Sequence, residues 1–260
     1  MYENSIMGLY CVTGGASGIG AGIVEKLRAE GHDVFTVDLR DADIEADLSS
    51  PEGREAAAEG IRAHAPEGLD GFVPCAGVGP DMNPFTLVTR INYFGAVNLT
   101  TAVKDLVARR RGAIVMISSN SSRMAECPAD YFEALLAGEE EKAVQIVENY
   151  DGQTAYGGGK FAVSVWMRRN TQPWLQDGIR LNAVAPGFVE SALTKKGLED
   201  PNYGPLMKEF VKSIPVGRPG VPADIAEAVS YLLSERSSFI AGSVLYIDGG
   251  HDAMLRPDSY

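Results

Sequence analysis

The sequence has few cysteines, a shortage of basic side chains and no long apolar run, and each shortage excludes a class of protein. Its three cysteines, Cys11, Cys75 and Cys127, are odd in number and scattered over 260 residues, which favours reduced thiols over a disulfide framework. Twenty-three basic against 35 acidic residues give a formal charge of -12, which argues against nucleic acid or an anionic membrane as partner. No apolar stretch approaches the roughly 18 residues of a membrane span, and the N-terminus lacks a basic region. We therefore expect a cytoplasmic protein.

Strand-like and helix-like segments alternate from one end of the chain to the other. Hydrophobic residues make up 45% and charged residues 22% of the sequence, which is ordinary for a soluble globular protein. The length lies between the usual sizes of one domain and two, and the even alternation favours one. The sequence therefore predicts a single α/β domain over residues 1–260.

A glycine-rich turn separates the first strand-like run, residues 6–12, from the first helical pattern. The turn has the sequence Thr13-Gly-Gly-Ala-Ser-Gly-Ile-Gly20 and precedes the apolar period of Ile23, Val24 and Leu27. Glycine lets the backbone turn tightly and approach a pyrophosphate, while a helix N-terminus presents N–H groups and partial positive charge. A dinucleotide phosphate site is therefore predicted at Gly14, Ser17, Gly18, Ile19 and Gly20.

The next strand, residues 33–38, ends in an acid where a dinucleotide fold places its ribose-binding carboxylate. Asp38 can accept hydrogen bonds from both adenosine ribose hydroxyls and would repel the extra phosphate of NADP, so NAD is the expected cofactor. Arg40 is either a solvated surface residue or a group that accommodates that phosphate. Asp47-Leu48 closes a third short strand, residues 42–48, and its acid either contacts the adenine or caps the helix beginning at Pro51.

Tyr156-Gly-Gly-Gly-Lys160 places a phenol and an amine four positions apart at the start of an apolar-periodic segment. On a helix this spacing puts both side chains on one face. A phenol titrates at about pH 10, so proton transfer at neutral pH requires its pKa to fall by about 3, or about 4 kcal/mol. An ammonium at about 4 Å supplies about 4 kcal/mol at an effective dielectric of about 20. Taken alone, the pair is also typical of an ordinary helix surface.

Two more polar side chains lie where ligands of an open parallel sheet bind. The buried strand pattern of residues 112–119 ends in Ser118-Ser119, and such ligands lie outside the carboxyl ends of strands, which makes Ser119 a candidate for chemistry. Asn92 belongs to a helical pattern that runs from Val88 to Arg110. A further strand, Leu69 to Cys75, leads into the turn Ala76-Gly77.

Together these residues resemble the short-chain dehydrogenases/reductases over essentially the whole chain. The joint match is much more specific than any one motif and disfavours the surface-pair interpretation of Tyr156 and Lys160. The matching set consists of the turn Thr13–Gly20, Asp38, Asp47-Leu48, Ala76-Gly77, Asn92, Ser119, Tyr156 with Lys160, Asn182-Ala-Val-Ala-Pro-Gly187 and Asp248-Gly-Gly250.

The resemblance implies a role for each matching catalytic residue. Tyr156 is expected to be the general acid/base, and Lys160 to lower its pKa and bind the nicotinamide ribose. Ser119 is expected to polarise the substrate oxygen, and Asn92 to hold a water in a proton relay behind Lys160. Cofactor contacts are implied for the glycine turn and Asp38 and also for Asp47, Leu48, Ala76, Gly77, Pro186, Gly187, Val189 and Ser191.

The chain departs from the usual family pattern in two places. The familiar Asn-Asn-Ala-Gly stretch is Pro74-Cys75-Ala76-Gly77 here, so a thiol replaces a strand-tying amide. Between Ser119 and Tyr156 about two dozen residues are added, an insertion placed at about 123–153 with helix-like pieces at 129–136 and 139–150 joined at Gly138. This insertion and the tail after Asp248 resemble one branch, the bacterial 3α-hydroxysteroid dehydrogenase/carbonyl reductases.

The sequence therefore predicts a Rossmann-type, doubly wound parallel sheet of about seven strands with helices on both faces. The expected function is NAD-dependent interconversion of a secondary alcohol and a ketone, with a 3α-hydroxysteroid or similar hydrophobic substrate and no metal. A coniferyl-alcohol-like or aliphatic alcohol, and a catalytically silent dinucleotide sensor, are the alternatives. A helical flap is expected at about 188–215, over the nicotinamide or as a plain surface hairpin. A homodimer is expected if the apolar positions Phe132, Leu135, Leu136, Val144 and Val147 pack on their own subunit. The alternative is that the insertion itself builds a new interface.

Overall fold

Seven parallel strands form one sheet in the order β3-β2-β1-β4-β5-β6-β7. The computed structural model describes residues 7–124, 126–191, 194, 198–199 and 204–259. The strand order reverses direction between β1 and β4, which makes the crevice above these two strands the expected ligand position. The doubly wound sheet is thereby confirmed. The strands are β1 (Leu9–Thr13), β2 (Asp33–Asp38), β3 (Ile44–Glu45), β4 (Gly71–Pro74), β5 (Ala113–Ile117), β6 (Arg180–Pro186) and β7 (Val244–Ile247).

Helices cover both faces of the sheet, and each face has its own apolar core. On one face, Ile23, Val24 and Leu27 of the first helix pack with Ile225 and Val229. The other face carries the larger core. The helices in the described ranges are α1 (Gly18–Ala29), α2 (Pro51–His64), α3 (Thr86–Thr89), α4 (Ala96–Ala102), α5 (Lys104–Arg110), α6 (Ala129–Ala137), α7 (Glu140–Val147), α8 (Gly152–Gln176), α9 (Gly204–Lys212), α10 (Pro222–Leu233) and α11 (His251–Leu255).

Two predicted elements differ from those observed. The third strand was expected over residues 42–48 and comprises only Ile44–Glu45. The single helix expected from Val88 to Arg110 is divided by a π-helical segment, Arg90–Gly95, and by a break at Val103. The hydroxyls of Thr100 and Thr101 donate to carbonyls four residues back, a pattern that bends helices, and this accounts for the break.

Helix α8 carries both Tyr156 and Lys160 and packs on β5 and β6. Its N-terminus is capped by Asp151, whose Oδ1 accepts a hydrogen bond from the Thr154 N–H at 2.8 Å. The hydroxyl of Ser118, at the end of β5, donates to the Lys160 carbonyl at 3.0 Å. The start of α8 is thereby fixed beside the carboxyl end of β5.

The inserted segment folds as α6 and α7, joined at Gly138 as the sequence predicted. Leu135, Val144 and Val147 are buried, and Phe132 stacks on Phe161 of α8 with 5.1 Å between ring centroids. Leu136 is half-buried beside it. The insertion therefore packs on the helices of its own chain.

No helix in the part of the chain that the structure describes combines the length and apolar character needed to cross a bilayer.

Candidate active site

The carboxyl ends of the strands bring most of the predicted site residues to one edge of the sheet. Thr13 at the end of β1 lies in register with Val37 of β2 and Pro74 of β4. Ile117 at the end of β5 is paired with Val184 of β6. The loops that follow these strands therefore meet above the point where the strand order reverses.

The glycine turn connects β1 to α1 in the tight path that the sequence predicted. Gly14 has a positive φ of 67°, and a Cβ there would lie 2.7 Å from the Ala76 Cα. A Cβ on Gly20 would lie 2.0 Å from the Gly14 carbonyl oxygen, so only glycine allows the first turn of α1 to sit against the loop.

The N-terminus of α1 has room for a phosphate group. Ser17 occupies the cap position without a side-chain cap hydrogen bond among the described residues, so it leaves the first N–H groups of the helix to a ligand. A Cβ on Gly18 would meet only the Ser191 Cβ, at 3.8 Å. Ile19 follows in the first turn. This open, backbone-lined cradle fits the pyrophosphate of a dinucleotide.

Asp38 stands at the end of β2, half-buried beside the glycine turn. Its Oδ2 accepts a hydrogen bond from the Ala16 N–H at 3.1 Å, and its Oδ1 accepts one from the Leu39 N–H at 2.7 Å. A carboxylate has about four acceptor positions, so these two bonds orient Asp38 and leave capacity for ribose hydroxyls. Arg40 is exposed, and no hydrogen bond or ion pair joins its side chain to another described residue.

Asp47 and Leu48 follow β3 and differ in exposure. Asp47 is exposed and accepts from the Ser49 N–H at 2.9 Å, whereas Leu48 is buried. The alternative that Asp47 caps the helix is wrong, because Ser50 is the cap and accepts from the Gly53 N–H at 3.1 Å. A contact of Asp47 with adenine stays a prediction.

Thr13 holds the turn after β4 to the glycine loop, a role that the sequence did not predict for it. The Ala76 N–H donates to Thr13 Oγ1 at 2.9 Å. Gly77 follows on the surface next to Asn92 Oδ1. Burial raises the pKa of the Cys75 thiol to about 12, so this thiol remains protonated and serves as packing.

Ser119 is the second residue after the end of β5 and caps a short 3-10 turn, Asn120–Arg123. Its Oγ accepts hydrogen bonds from the Ser121 N–H at 3.2 Å and from the Ser121 hydroxyl at 2.8 Å. Because both bonds are accepted, the hydroxyl hydrogen of Ser119 can be donated, to the neighbouring Tyr156 oxygen or to a substrate oxygen. Ser121 was not singled out in the sequence, although its spacing from Ser119 is a usual one for such a turn.

The Tyr156 hydroxyl lies close to Ser119. Burial raises the pKa of the Tyr156 phenol, and the hydrogen bond with the Ser119 side chain acts in the opposite direction. The expected lowering of this pKa by Lys160 is not found, and this corrects the sequence prediction. Burial outweighs the other influences here because the Lys160 ammonium lies 6.0 Å from the Tyr156 ring centroid and is directed to another group.

Lys160 is 5% exposed, and its Nζ donates to the Ile117 carbonyl at 2.8 Å. Burial lowers its pKa to about 8, since a desolvated ammonium is costly. An ammonium has three donors, and the bond to Ile117 uses one of them. The site therefore contains a cation that is oriented by the end of β5 and retains donors for ribose hydroxyls.

Asn92 lies in the π-helical segment, 1% exposed and below Gly77. Its Oδ1 accepts from the Val78 N–H at 2.8 Å, and its Nδ2 donates to the Val78 carbonyl at 2.9 Å. These two bonds fix the turn that follows β4. The proton-relay role of Asn92 stays a prediction.

The end of β6 forms the last wall of the site. The Gly187 N–H donates to the Ile247 carbonyl at 3.0 Å, directly after Pro186. Phe188 and Glu190 pair with Gly220 through their backbones, which leaves the Val189 N–H outside this ladder.

Ser191 and Thr194 close the loop after β6. The Ser191 N–H donates to Thr194 Oγ1 at 2.7 Å. Thr194 Oγ1 in turn donates to the Val189 carbonyl at 3.0 Å. The sequence prediction named Ser191 and missed Thr194.

Within the described ranges, no group of three or more His, Cys, Asp and Glu side chains is arranged to hold a metal ion.

Comparison with known proteins identifies the family. A short chain dehydrogenase model matches residues 9–129, and an enoyl-(acyl carrier protein) reductase model matches residues 141–252. The chain is 40% identical to the 3-alpha-hydroxysteroid dehydrogenase/carbonyl reductase of Comamonas testosteroni, over 98% of this chain and 100% of that protein. The chain belongs to the short-chain dehydrogenase/reductase family. It is therefore an oxidoreductase, as predicted.

Two further members of the family cover nearly the whole chain. The coniferyl-alcohol dehydrogenase of Pseudomonas sp. (strain HR199 / DSM 7063) is 31% identical, over 92% of this chain and 94% of that protein. The crystal structure of the 3-alpha-hydroxysteroid dehydrogenase from Pseudomonas sp. B-0831 complexed with NADH aligns with a TM-score of 0.92 and 42% identity. That alignment covers 97% of this chain and 100% of the other. The resemblance to the hydroxysteroid dehydrogenase branch is thereby confirmed.

Proposed function

We propose that this protein is an NAD-dependent oxidoreductase that interconverts a secondary alcohol and a ketone. The observation that carries the proposal is the meeting of Ser119, Tyr156 and Lys160 at the end of β5, opposite the phosphate cradle of α1. The three side chains supply a hydroxyl donor, a proton-transfer group and a cation at the end of one strand. Asp38 beside the cradle favours the cofactor without a ribose phosphate.

The residues that would hold NAD line the strand ends in order. The N-terminus of α1 would bind the pyrophosphate, Asp38 the adenosine ribose, and Lys160 the nicotinamide ribose. Pro186 and Gly187 would flank the nicotinamide, with the Val189 N–H and the Ser191 hydroxyl near its carboxamide. NAD, when bound, supplies the hydride acceptor for oxidation, and NADH supplies the hydride for reduction.

Proton transfer at the substrate oxygen falls to Tyr156. In oxidation its phenolate accepts the hydroxyl proton of the alcohol, and in reduction its hydroxyl protonates the oxygen of the former ketone. Ser119 donates to the same oxygen, because its own lone pairs are occupied by Ser121. Burial opposes the phenolate form of Tyr156, and the hydrogen bond with the Ser119 side chain favours it.

The substrate we propose is a hydrophobic carbonyl compound or alcohol of the 3α-hydroxysteroid type. Phe188 and Phe210 of the proposed flap, residues 188–215, lie next to each other with 6.5 Å between ring centroids. Part of that segment falls outside the described residues. The relatives that act on 3-alpha-hydroxysteroids support this substrate class over coniferyl alcohol, since they share more of the sequence.

We also propose a homodimer. The insertion, placed at about 123–153, packs against α8 and the segment around Arg90, so it covers the face through which a second subunit would approach these helices. The face made by α10 and the edge strand β7 has exposed apolar side chains at Tyr231 and Leu245, which suits a two-fold contact.

Sedimentation of the intact chain, and of a chain with residues 124–150 replaced by a short loop, tests this assembly. A dimer that becomes a tetramer on deletion supports it. An intact chain that already sediments as a tetramer refutes it.

The catalytic proposal is tested by following NADH absorbance with a panel of 3α-hydroxysteroids, 3-ketosteroids, coniferyl alcohol and aliphatic alcohols. We expect turnover with the steroids and a preference for NAD over NADP. Turnover with coniferyl or aliphatic alcohols alone would replace the substrate class. NADH binding without turnover of any compound would instead indicate a dinucleotide-sensing protein.

A further inference from the structure

Three consecutive glycines separate Tyr156 from Lys160 inside the first turns of α8, and all three are buried. Glycine in a helix interior is less favourable than alanine by about 1 kcal/mol per residue, so a run of three weakens the part of the helix that must hold the catalytic groups. Such a segment requires support from outside the helix.

The insertion occupies the space that one of these glycines leaves. A Cβ on Gly158 would lie 2.9 Å from Cys127 Sγ, closer than a Cβ normally approaches any atom, and 3.0 Å from Tyr131 Cε1, which is tighter than most Cβ contacts. Gly159 differs, since a Cβ there would meet its nearest neighbour at 4.0 Å. Gly158 is therefore the position where the insertion rests directly on the backbone between Tyr156 and Lys160.

The Tyr131 hydroxyl joins the two elements that carry the catalytic residues. Tyr131 is fully buried, and its hydroxyl donates to the Ala155 carbonyl at 3.4 Å. Because a phenol has one hydrogen, the bond of 2.7 Å with Thr89 Oγ1 is then one that Tyr131 accepts. Ala155 directly precedes Tyr156, and Thr89 directly precedes the π-helical segment of Asn92.

We propose that Tyr131 is a positioning residue for Tyr156, and that the insertion sets the place of the catalytic phenol relative to Ser119. The inference rests on the proposed function, since it assigns Tyr156 as the proton-transfer group. The hydrogen bond with Ser119 requires the Tyr156 hydroxyl to stay in one position. The three glycines at 157–159 alone give this part of α8 little rigidity. Tyr131 acts through the Ala155 carbonyl and the Gly158 backbone and does not touch the reacting atoms.

The first test is Tyr131→Phe, which removes the hydroxyl and keeps the ring against Gly158. We expect kcat for alcohol oxidation to fall about 10-fold, since a displacement of about 1 Å in a catalytic group can cost up to about 100-fold. The KM for NAD should stay unchanged. The half-maximal point of the kcat profile should move to higher pH, because a looser Tyr156 loses part of its bond with Ser119. Tyr10→Phe is the matched control, a buried tyrosine on the opposite face of the sheet, and should retain wild-type kcat.

A second readout does not depend on turnover. Tyrosine labelled with 13C at the ζ carbon reports each phenol's ionisation, and Tyr156→Phe identifies the Tyr156 signal. Tyr131→Phe should raise the pKa of that signal, and Thr89→Val, which removes the other partner of the Tyr131 hydroxyl, should raise it less.

An unchanged Tyr156 titration, together with unchanged kcat at a temperature well below Tm, would overturn the positioning role even if Tm falls. If the wild-type protein turns over no alcohol or ketone, the proposed function fails, whereas the titration still decides whether Tyr131 positions Tyr156.

Discussion

The ion pair of Glu140 offers the sharpest test of how the insertion is attached. Its Oε2 lies 2.5 Å from Arg54 Nη2 of α2, and its Oε1 accepts from Arg54 Nη1 at 3.2 Å and from Arg90 Nη1 at 3.1 Å. The side chains of Arg54 and Glu140 are 6% and 13% exposed. The change to make is Glu140→Gln, which keeps the shape and removes the charge.

The loss of stability expected for Glu140→Gln follows from the Arg54 guanidinium, which remains buried and charged. After the substitution, Arg54 still donates a hydrogen bond to the Leu48 carbonyl, at 3.3 Å. Its charged group then faces a neutral amide instead of a carboxylate. Breaking a buried pair by removing one partner costs about 3 to 5 kcal/mol. For a chain of this length about 1 kcal/mol shifts Tm by about 2 °C, so Tm should fall by about 6 to 10 °C.

Calorimetry of Glu140→Gln and Glu141→Gln gives a matched comparison. Glu141 is the next residue on α7 and also pairs with Arg90, at 2.7 Å, but its side chain is 71% exposed. Its substitution should therefore shift Tm far less. A double change, Arg54→Met with Glu140→Leu, should recover most of the loss, because no unpaired buried charge remains. Equal shifts for the two single variants would refute the reasoning.

Four further outcomes are expected. Tyr156→Phe should keep NADH affinity and lower kcat about 100-fold or more, and wild-type turnover would contradict its role. Asp38→Ala should weaken NAD binding and relax the exclusion of NADP, measured as the ratio of the two kcat/KM values. Lys160→Met should gain stability relative to wild type at pH 7, because burial holds the Lys160 pKa at about 8. The unfolded lysine keeps its proton to higher pH than the folded one, so the stability of the wild type rises between about pH 8 and 10.5. Urea titrations over this range should therefore show the stability difference between Lys160→Met and the wild type becoming smaller. Gly158→Ala should lower Tm, whereas Gly159→Ala should leave it unchanged or raise it by up to about 3 °C, and equal effects would argue against the Tyr131 contact.

Motifs that depend only on residues close together in the sequence could be predicted from it. The glycine turn, the strand that ends in Asp38 and the cap-bearing helix Pro51–His64 all follow from periodicity and from residues with few alternatives. The two helices of the insertion were also found, because Gly138 marks the boundary between two apolar periods.

Properties that depend on tertiary packing could not be predicted from the sequence. The spacing of Tyr156 and Lys160 predicted that the ammonium lowers the pKa of the phenol, yet burial raises that pKa. The ammonium itself donates to the Ile117 carbonyl. Spacing fixes which side chains share a helix face, but desolvation depends on what covers that face. The same holds for Thr13 and Ser121, whose partners become neighbours only when strands and turns assemble.

The insertion also has a consequence for the entropy of the unfolded chain. It lengthens the stretch between Ser119 and Tyr156 to 36 residues, from about a dozen without the added segment. The entropy of closing a loop grows only with the logarithm of its length, so bringing these two residues together becomes harder by about 1 kcal/mol. Burial of Tyr131, Leu135 and Val147 offsets that amount several times over, at about 1.5 to 3 kcal/mol for each large apolar side chain. A helical hairpin between two catalytic residues is thus a minor burden on folding when it has apolar side chains to bury.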